Sequence, residues 1–146
     1  MAYTKDAPHR ELTYKVIGLA MEAHNELGAG HREADYQRAL AIKLRGASLE
    51  FEDEPRIKIQ LASGERVGTR RPDFVVARCV LVELKARGHL MTKDDMAQVI
   101  GYFAILPECR VGLFINLGRP RLEYHRLFPP KKVTAYQRHK WGKSTK

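Results

Sequence analysis

Cysteine is scarce: Cys79 and Cys109 are the only two in 146 residues. That excludes a disulfide framework and a four-ligand zinc site built from cysteine. The six histidines include no His-x-x-x-His pair, so a helical two-histidine metal motif is absent too. No apolar run approaches the ~18 residues that a membrane span requires. The first ten residues lack the apolar core of a signal peptide. The expected setting is therefore the cytoplasm, without a membrane partner. No internal repeat or low-complexity block is present. Acid is missing from one place in particular. Beyond Cys109 the only acidic residue is Glu123, against Arg110, Arg119, Arg121, Arg126, Lys131, Lys132, Arg138, Lys140, Lys143 and Lys146.

Residues 1–109 hold 16 basic and 16 acidic side chains, so the whole formal charge of +9 lies in the last quarter. A basic segment on a neutral body predicts a polyanionic partner. Hydrophobic residues make up 44% of the chain, a composition that folds. The length suits one domain, expected over 1–130. Lys131–Lys146 has no apolar periodicity and is expected to be a mobile basic tail. In that tail Tyr136 and Trp141 interleave with the cations, a composition able to stack bases.

The periodicity of the apolar residues gives the elements. Leu12, Val16, Leu19, Ala23 and Leu27 predict a helix stopped by Gly28. Tyr36, Leu40, Ala41 and Leu44 predict a second, from about Arg32 to Arg45 and ended by Gly46. The period then falls to two. Leu49 and Phe51 begin one strand, and Ile57, Ile59 and Leu61 mark another. Ala62–Glu65 reads as a turn, and Pro72–Ala77 and Val80–Ala86 as two adjoining strands. Thr92 opens a third helix with Asp95 three residues on. This helix carries Met96, Val99, Ile100 and Phe103 toward a sheet. Arg110–Asn116 and Arg121–Phe128 complete the set. The order α-α-β-β-β-β-α-β-β predicts a mixed α/β or α+β domain with one central mixed sheet flanked by helices.

One constellation carries chemistry. A three-residue turn at Ala77-Arg78-Cys79 pairs Val76 with Val80, Val75 with Leu81 and Phe74 with Val82. Asp73 then falls opposite Glu83, with Cβ atoms roughly 4.5–5.5 Å apart on one face. Lys85, two residues beyond Glu83, shares that face. The other face is Phe74, Val76, Val80, Val82 and Leu84, all apolar. Two adjacent carboxylates repel each other, and a hard divalent cation such as Mg²⁺ removes that cost. A neighbouring lysine can orient water or neutralise charge on a phosphoryl group. The same three residues are also compatible with a merely neutralised surface patch.

These residues resemble the PD-(D/E)XK nuclease superfamily, and within it the GxxExxY proteins. Gly30-His31-Arg32-Glu33-Ala34-Asp35-Tyr36 matches the GxxExxY signature. Arg71-Pro72-Asp73 followed by Val82-Glu83-Leu84-Lys85-Ala86 matches the nuclease core. Gln98 and Tyr102 match a Q-x-x-x-Y helix motif, and Gly112–Gly118 resembles the closing strand. The chain departs from the family at Gly28-Ala29-Gly30-His31-Arg32, where Gly-Pro-Gly and apolar residues are usual. The resemblance implies a restriction-endonuclease-like core. In it Asp73 and Glu83 bind Mg²⁺ or Mn²⁺, Lys85 serves the attacking water, and Glu33 is a further acidic contributor. Gln98 and Tyr102 would position DNA or water.

The expected function is a metal-dependent nuclease acting on DNA. Arg119, Arg121, Arg126, Lys131, Lys132, Arg138 and Lys140 would grip the nucleic acid. The alternatives are a nucleic-acid-binding module without turnover and a structural subunit that docks through its basic tail. The oligomeric state stays open, a homodimer included.

Overall fold

A computed structural model of the chain describes residues 8–130. The 131–146 segment, with its expected mobility and its Lys131, Lys132, Arg138 and Lys140, lies outside the described residues.

The chain opens with α1 (Arg10–Leu27) and α2 (Glu33–Gly46). α1 buries Val16, Ile17, Ala20 and Ala23, with Leu12 and Leu19 at the margin. Leu27, expected on that stripe, is exposed at the helix end. Gly28 ends α1 at φ 75°, a left-handed backbone that glycine adopts without a Cβ penalty. α2 buries Tyr36, Leu40, Ala41 and Leu44, the four positions its periodicity marks.

Seven strands and one more helix follow. They are β1 (Phe51–Asp53), β2 (Ile57–Gln60), β3 (Arg66–Arg70), β4 (Phe74–Val76), β5 (Val80–Lys85), α3 (Lys93–Tyr102), β6 (Val111–Asn116) and β7 (Glu123–Leu127). Five strands form one sheet in the order β1-β4-β5-β6-β7. β5 and β6 are parallel and the other neighbours antiparallel. A parallel pair needs a crossover, and the β5-to-β6 connection contains α3.

Alternation along the strands divides the core in two. Phe74, Val76, Val80, Val82, Leu84, Leu113 and Ile115 pack under α1 and α2. Val75, Leu81 and Phe114 point the other way and pack with Val99, Tyr102 and Phe103 around α3. Burying each such side chain stabilises by about 1.5–3 kcal/mol. The mixed α+β class with a central mixed sheet stands.

Two features differ from the sequence expectation. An extra strand, β3, was not anticipated. Its sequence Arg66-Val67-Gly68-Thr69-Arg70 shows no apolar alternation because it is largely exposed. And β2 with β3 does not join the central sheet but forms a separate two-stranded ribbon. No helix among the described residues is long and apolar enough to cross a membrane.

Candidate active site

The β4–β5 hairpin sets the acidic pair. Its register is Phe74↔Val82, Val75↔Leu81 and Val76↔Val80, as the three-residue turn requires. Ala77 (φ 50°) and Arg78 (φ 62°) make that turn in left-handed backbone. Such backbone costs non-glycine residues of order 1–2 kcal/mol each, and burial of both hairpin strands offsets it.

One step beyond the ladder, side chains replace backbone acceptors. The Asp73 N–H donates to Glu83 Oε1 at 2.8 Å. The Leu84 N–H donates to Asp73 Oδ2 at 2.7 Å. Each carboxylate thus anchors one oxygen on the opposite strand. Neither Asp73 Oδ1 nor Glu83 Oε2 accepts a hydrogen bond from the described residues, and among those residues no buried side-chain nitrogen or oxygen is left without a partner. The two free oxygens therefore keep access to solvent.

The electrostatics are unfavourable for two anions. Asp73 is 9% exposed and Glu83 5%. Burial pushes Asp73 up to about 6; the Leu84 amide and Lys85 oppose the rise, whereas Glu33 and Glu54 add to it. Burial and then repulsion from Asp73 push Glu83 up to about 8, against the Asp73 amide and Lys85. The pair titrates as a unit.

Lys85 ends β5, half-buried, and acts on both carboxylates through its charge. Glu33, the first residue of α2, is exposed and adds negative potential at both. Tyr102 and Gln98 separate. Tyr102 is 4% exposed and packs into the α3 cluster, whereas Gln98 is exposed. The Tyr102 ring packs on the sheet side of α3, so the two residues of the Q-x-x-x-Y motif lie in different surroundings. Its hydroxyl is pushed up to about 12, by burial first and then by Glu83, so it stays a proton donor at neutral pH.

Arg119 and Arg121 line a cavity of about 680 Å³ with His24, Glu123 and Tyr124. Arg126 donates to Thr13 Oγ1 at 3.3 Å and lies over the Tyr124 ring.

The sequence reading missed Asn116, which is fully buried and faces Lys85 across the parallel pair. Its Oδ1 accepts from the amides of Arg87 (2.9 Å) and Gly118 (3.1 Å). Its Nδ2 donates to the His89 carbonyl and to Glu123. The chain leaving Lys85 is thereby fixed. Gly118 is required there, since a Cβ would lie 2.4 Å from the Arg87 nitrogen. A lone asparagine ending the apolar run Val-Gly-Leu-Phe-Ile-Asn was the available signal. Arg87 also pairs with Asp95 at 3.0 Å, tying the same loop to α3. Thr92 caps α3, accepting from the Asp95 amide, while Asp95 accepts from the Thr92 amide.

Among the described residues no three His, Cys, Asp or Glu side chains converge closely enough to hold a metal. Asp73 and Glu83 form a pair, and Glu33 stands outside it. The pair still fits a hard divalent cation. It offers two open carboxylate oxygens, in a setting where burial and repulsion disfavour charge. Such ions keep much of their shell as water and phosphate and need only one or two protein carboxylates.

A family profile described as the PD-(D/E)XK nuclease superfamily matches residues 10–127. No curated protein sequence matches the chain. Among solved structures, that of SSO0001 has a TM-score of 0.54 at 18% identity, covering 70% of this chain and 52% of its own. The chain thus spans about half the length of that protein, and the likeness is one of fold. An alkaline exonuclease, LHK-Exo from Laribacter hongkongensis, has a TM-score of 0.49 at 11% identity, covering 98% of this chain and 80% of its own. Its complex with dAMP gives 0.48, also at 11%.

Proposed function

The chain belongs to the PD-(D/E)XK nuclease superfamily, and from that premise we propose that it is a Mg²⁺- or Mn²⁺-dependent nuclease that hydrolyses phosphodiester bonds in DNA. The finer placement we propose is the GxxExxY branch, on Gly30, Glu33 and Tyr36. Tyr36 supports it by donating to the Gly28 carbonyl at 2.6 Å and accepting from the His31 amide, which fixes the turn ahead of Glu33. The single observation that carries the function is the reciprocal bracing of Asp73 and Glu83 beside Lys85.

Asp73 and Glu83 would hold the cation, each through the oxygen not engaged by a backbone amide. The cation, when bound, supplies positive charge to a phosphoryl group. Lys85 contributes a second positive charge on the same face, suited to orienting water or to neutralising a phosphate oxygen. Glu33 keeps the local potential negative, which favours cation uptake. The Tyr102 hydroxyl, kept protonated, is available as a donor near Glu83. Gln98, exposed on α3, offers an amide to a passing strand. Arg119, Arg121 and Arg126 remain the proposed grip on the described part of the basic segment, with the cations of residues 131–146 adding to it.

The test is a cleavage panel of labelled single-stranded, duplex and branched DNA and RNA with Mg²⁺ or Mn²⁺. Metal-dependent cleavage of DNA is expected, absent in Lys85→Ala and in excess chelator. Cleavage that survives either treatment, or tight binding with no turnover on any substrate, refutes it.

A further inference from the structure

Residues 1–109 are neutral as a whole, yet 55–72 carry Arg56, Lys58, Arg66, Arg70 and Arg71 against one acid, Glu65. The β2–β3 ribbon sorts these charges. Pairing sets Ile57 opposite Arg70, Lys58 opposite Thr69 and Ile59 opposite Gly68. A register shift between Ile59 and Gln60 then brings Arg66 opposite Gln60. One face carries Ile57, which packs on the α3 cluster, and Arg70, whose charge is felt by Tyr102. The other face carries Lys58, Thr69 and Arg66, extended at its root by Arg56 and Arg71. These five line one open depression of about 390 Å³ that has no acidic wall.

We propose that this outward face of the β2–β3 ribbon is the seat of the sugar-phosphate backbone of the nucleic acid, leading it to the Asp73–Glu83–Lys85 centre. The placement rests on the nuclease reading of that centre.

Three observations support it. First, the cations are available. Arg56, Lys58 and Arg66 form no ion pair among the described residues, and Arg71 has only Glu54 at 3.8 Å, with both side chains about half exposed. An exposed pair of this kind is worth under about 1 kcal/mol, so a phosphate can replace Glu54. Second, the ribbon is rooted at the site. Arg71 is two residues from Asp73, and the Glu54 N–H donates to the Asp73 carbonyl at 2.9 Å. Third, the dimensions suit a polymer. Arg66 to Arg71 spans about 16 Å of strand, the reach of several phosphates along one nucleic-acid strand. The Thr69 hydroxyl is a further donor to phosphate oxygen. This surface reads charge and spacing, not sequence.

The experiment measures binding in EDTA, where metal-dependent turnover is held off. Fluorescein-labelled duplex and single-stranded DNA are titrated by anisotropy between about 50 and 200 mM KCl. In Arg56→Gln/Lys58→Gln/Arg66→Gln the slope of log affinity against log salt should become shallower by about 2.7 on duplex or about 2.1 on single strands. If the triple variant does not fold, Lys58→Gln alone should lower the slope by about 1. An unchanged slope, or wild-type protein that binds neither DNA, overturns the proposal. A protein that shows the expected slope but cleaves nothing with Mg²⁺ refutes the nuclease reading and leaves this one. Cleavage with an unchanged slope does the reverse.

Discussion

The β2–β3 and β4–β5 hairpins are consecutive, joined only by Arg71, Pro72 and Asp73, and they treat charge in opposite ways. In β4–β5 every strand residue but Lys85 is buried, and the hairpin delivers two acids into surroundings that resist their ionisation. In β2–β3 the side chains alternate between half-buried and exposed, or are exposed outright, and the cations stay in water. The turns match these roles. The ribbon turns at Gly64 with φ 93°, at no steric cost, whereas the buried hairpin forces Ala77 and Arg78 into left-handed backbone. Strain and unfavourable electrostatics thus concentrate in the hairpin that is packed on both faces. That packing is what can hold them.

If this contrast is functional, the largest effect comes from the acids. Asp73→Asn or Glu83→Gln should cut metal-dependent cleavage by roughly 100-fold to 1,000-fold or more, measured on the preferred DNA substrate, with the circular dichroism spectrum unchanged. Full activity in either variant breaks the contrast at its centre.

The next effect is on stability against pH, in chelator. The ordinary values of Asp73 and Glu83 are 3.8 and 4.5, and in the folded chain they rise to about 6 and about 8. Between those limits the folded state binds more protons than the unfolded one, so stability falls as pH rises. The loss should be of order a few kcal/mol across the window from about pH 4 to about pH 8, seen as a declining melting temperature. Mg²⁺ should restore stability at the alkaline end. The Asp73→Asn/Glu83→Gln variant should be flat in both respects, and a flat wild-type profile would show that the acids are not destabilised.

A like-for-like truncation sharpens the packing side. Leu81→Ala, from a fully buried position, should cost about 2–5 kcal/mol in urea unfolding. Leu61→Ala, at 55% exposure beside the ribbon turn, should stay within about 0.5 kcal/mol. Comparable losses would mean that the ribbon is part of the core.

How much could be read in advance follows the same division. The β4–β5 register came from counting outward from a three-residue turn, because a buried strand must put its apolar residues on fixed faces. Asp73 and Glu83 were opposed by that arithmetic alone. β3 could not be found that way: Arg66-Val67-Gly68-Thr69-Arg70 meets no core, so no packing demand marks it. The charge count also misled, since a zero sum over 1–109 concealed a cationic ribbon next to an acidic centre. Gln98 and Tyr102 share a helix spacing but differ in size and polarity, so the burial of Tyr102 against the sheet was not legible in the motif. Asn116 was passed over because its role is to hold backbone, which no spacing motif encodes.

The reciprocal bonds between Asp73 and Leu84 and between Glu83 and Asp73 join residues only ten or eleven positions apart. Closing so short a loop takes on the order of microseconds for a hairpin. Packing α1 against the β6–β7 end must bring together residues as distant as His24 and Arg119, a slower kind of contact. The acidic pair can therefore meet before most of the molecule has closed around it. A cation bound at that stage would act as a clamp on the nascent hairpin.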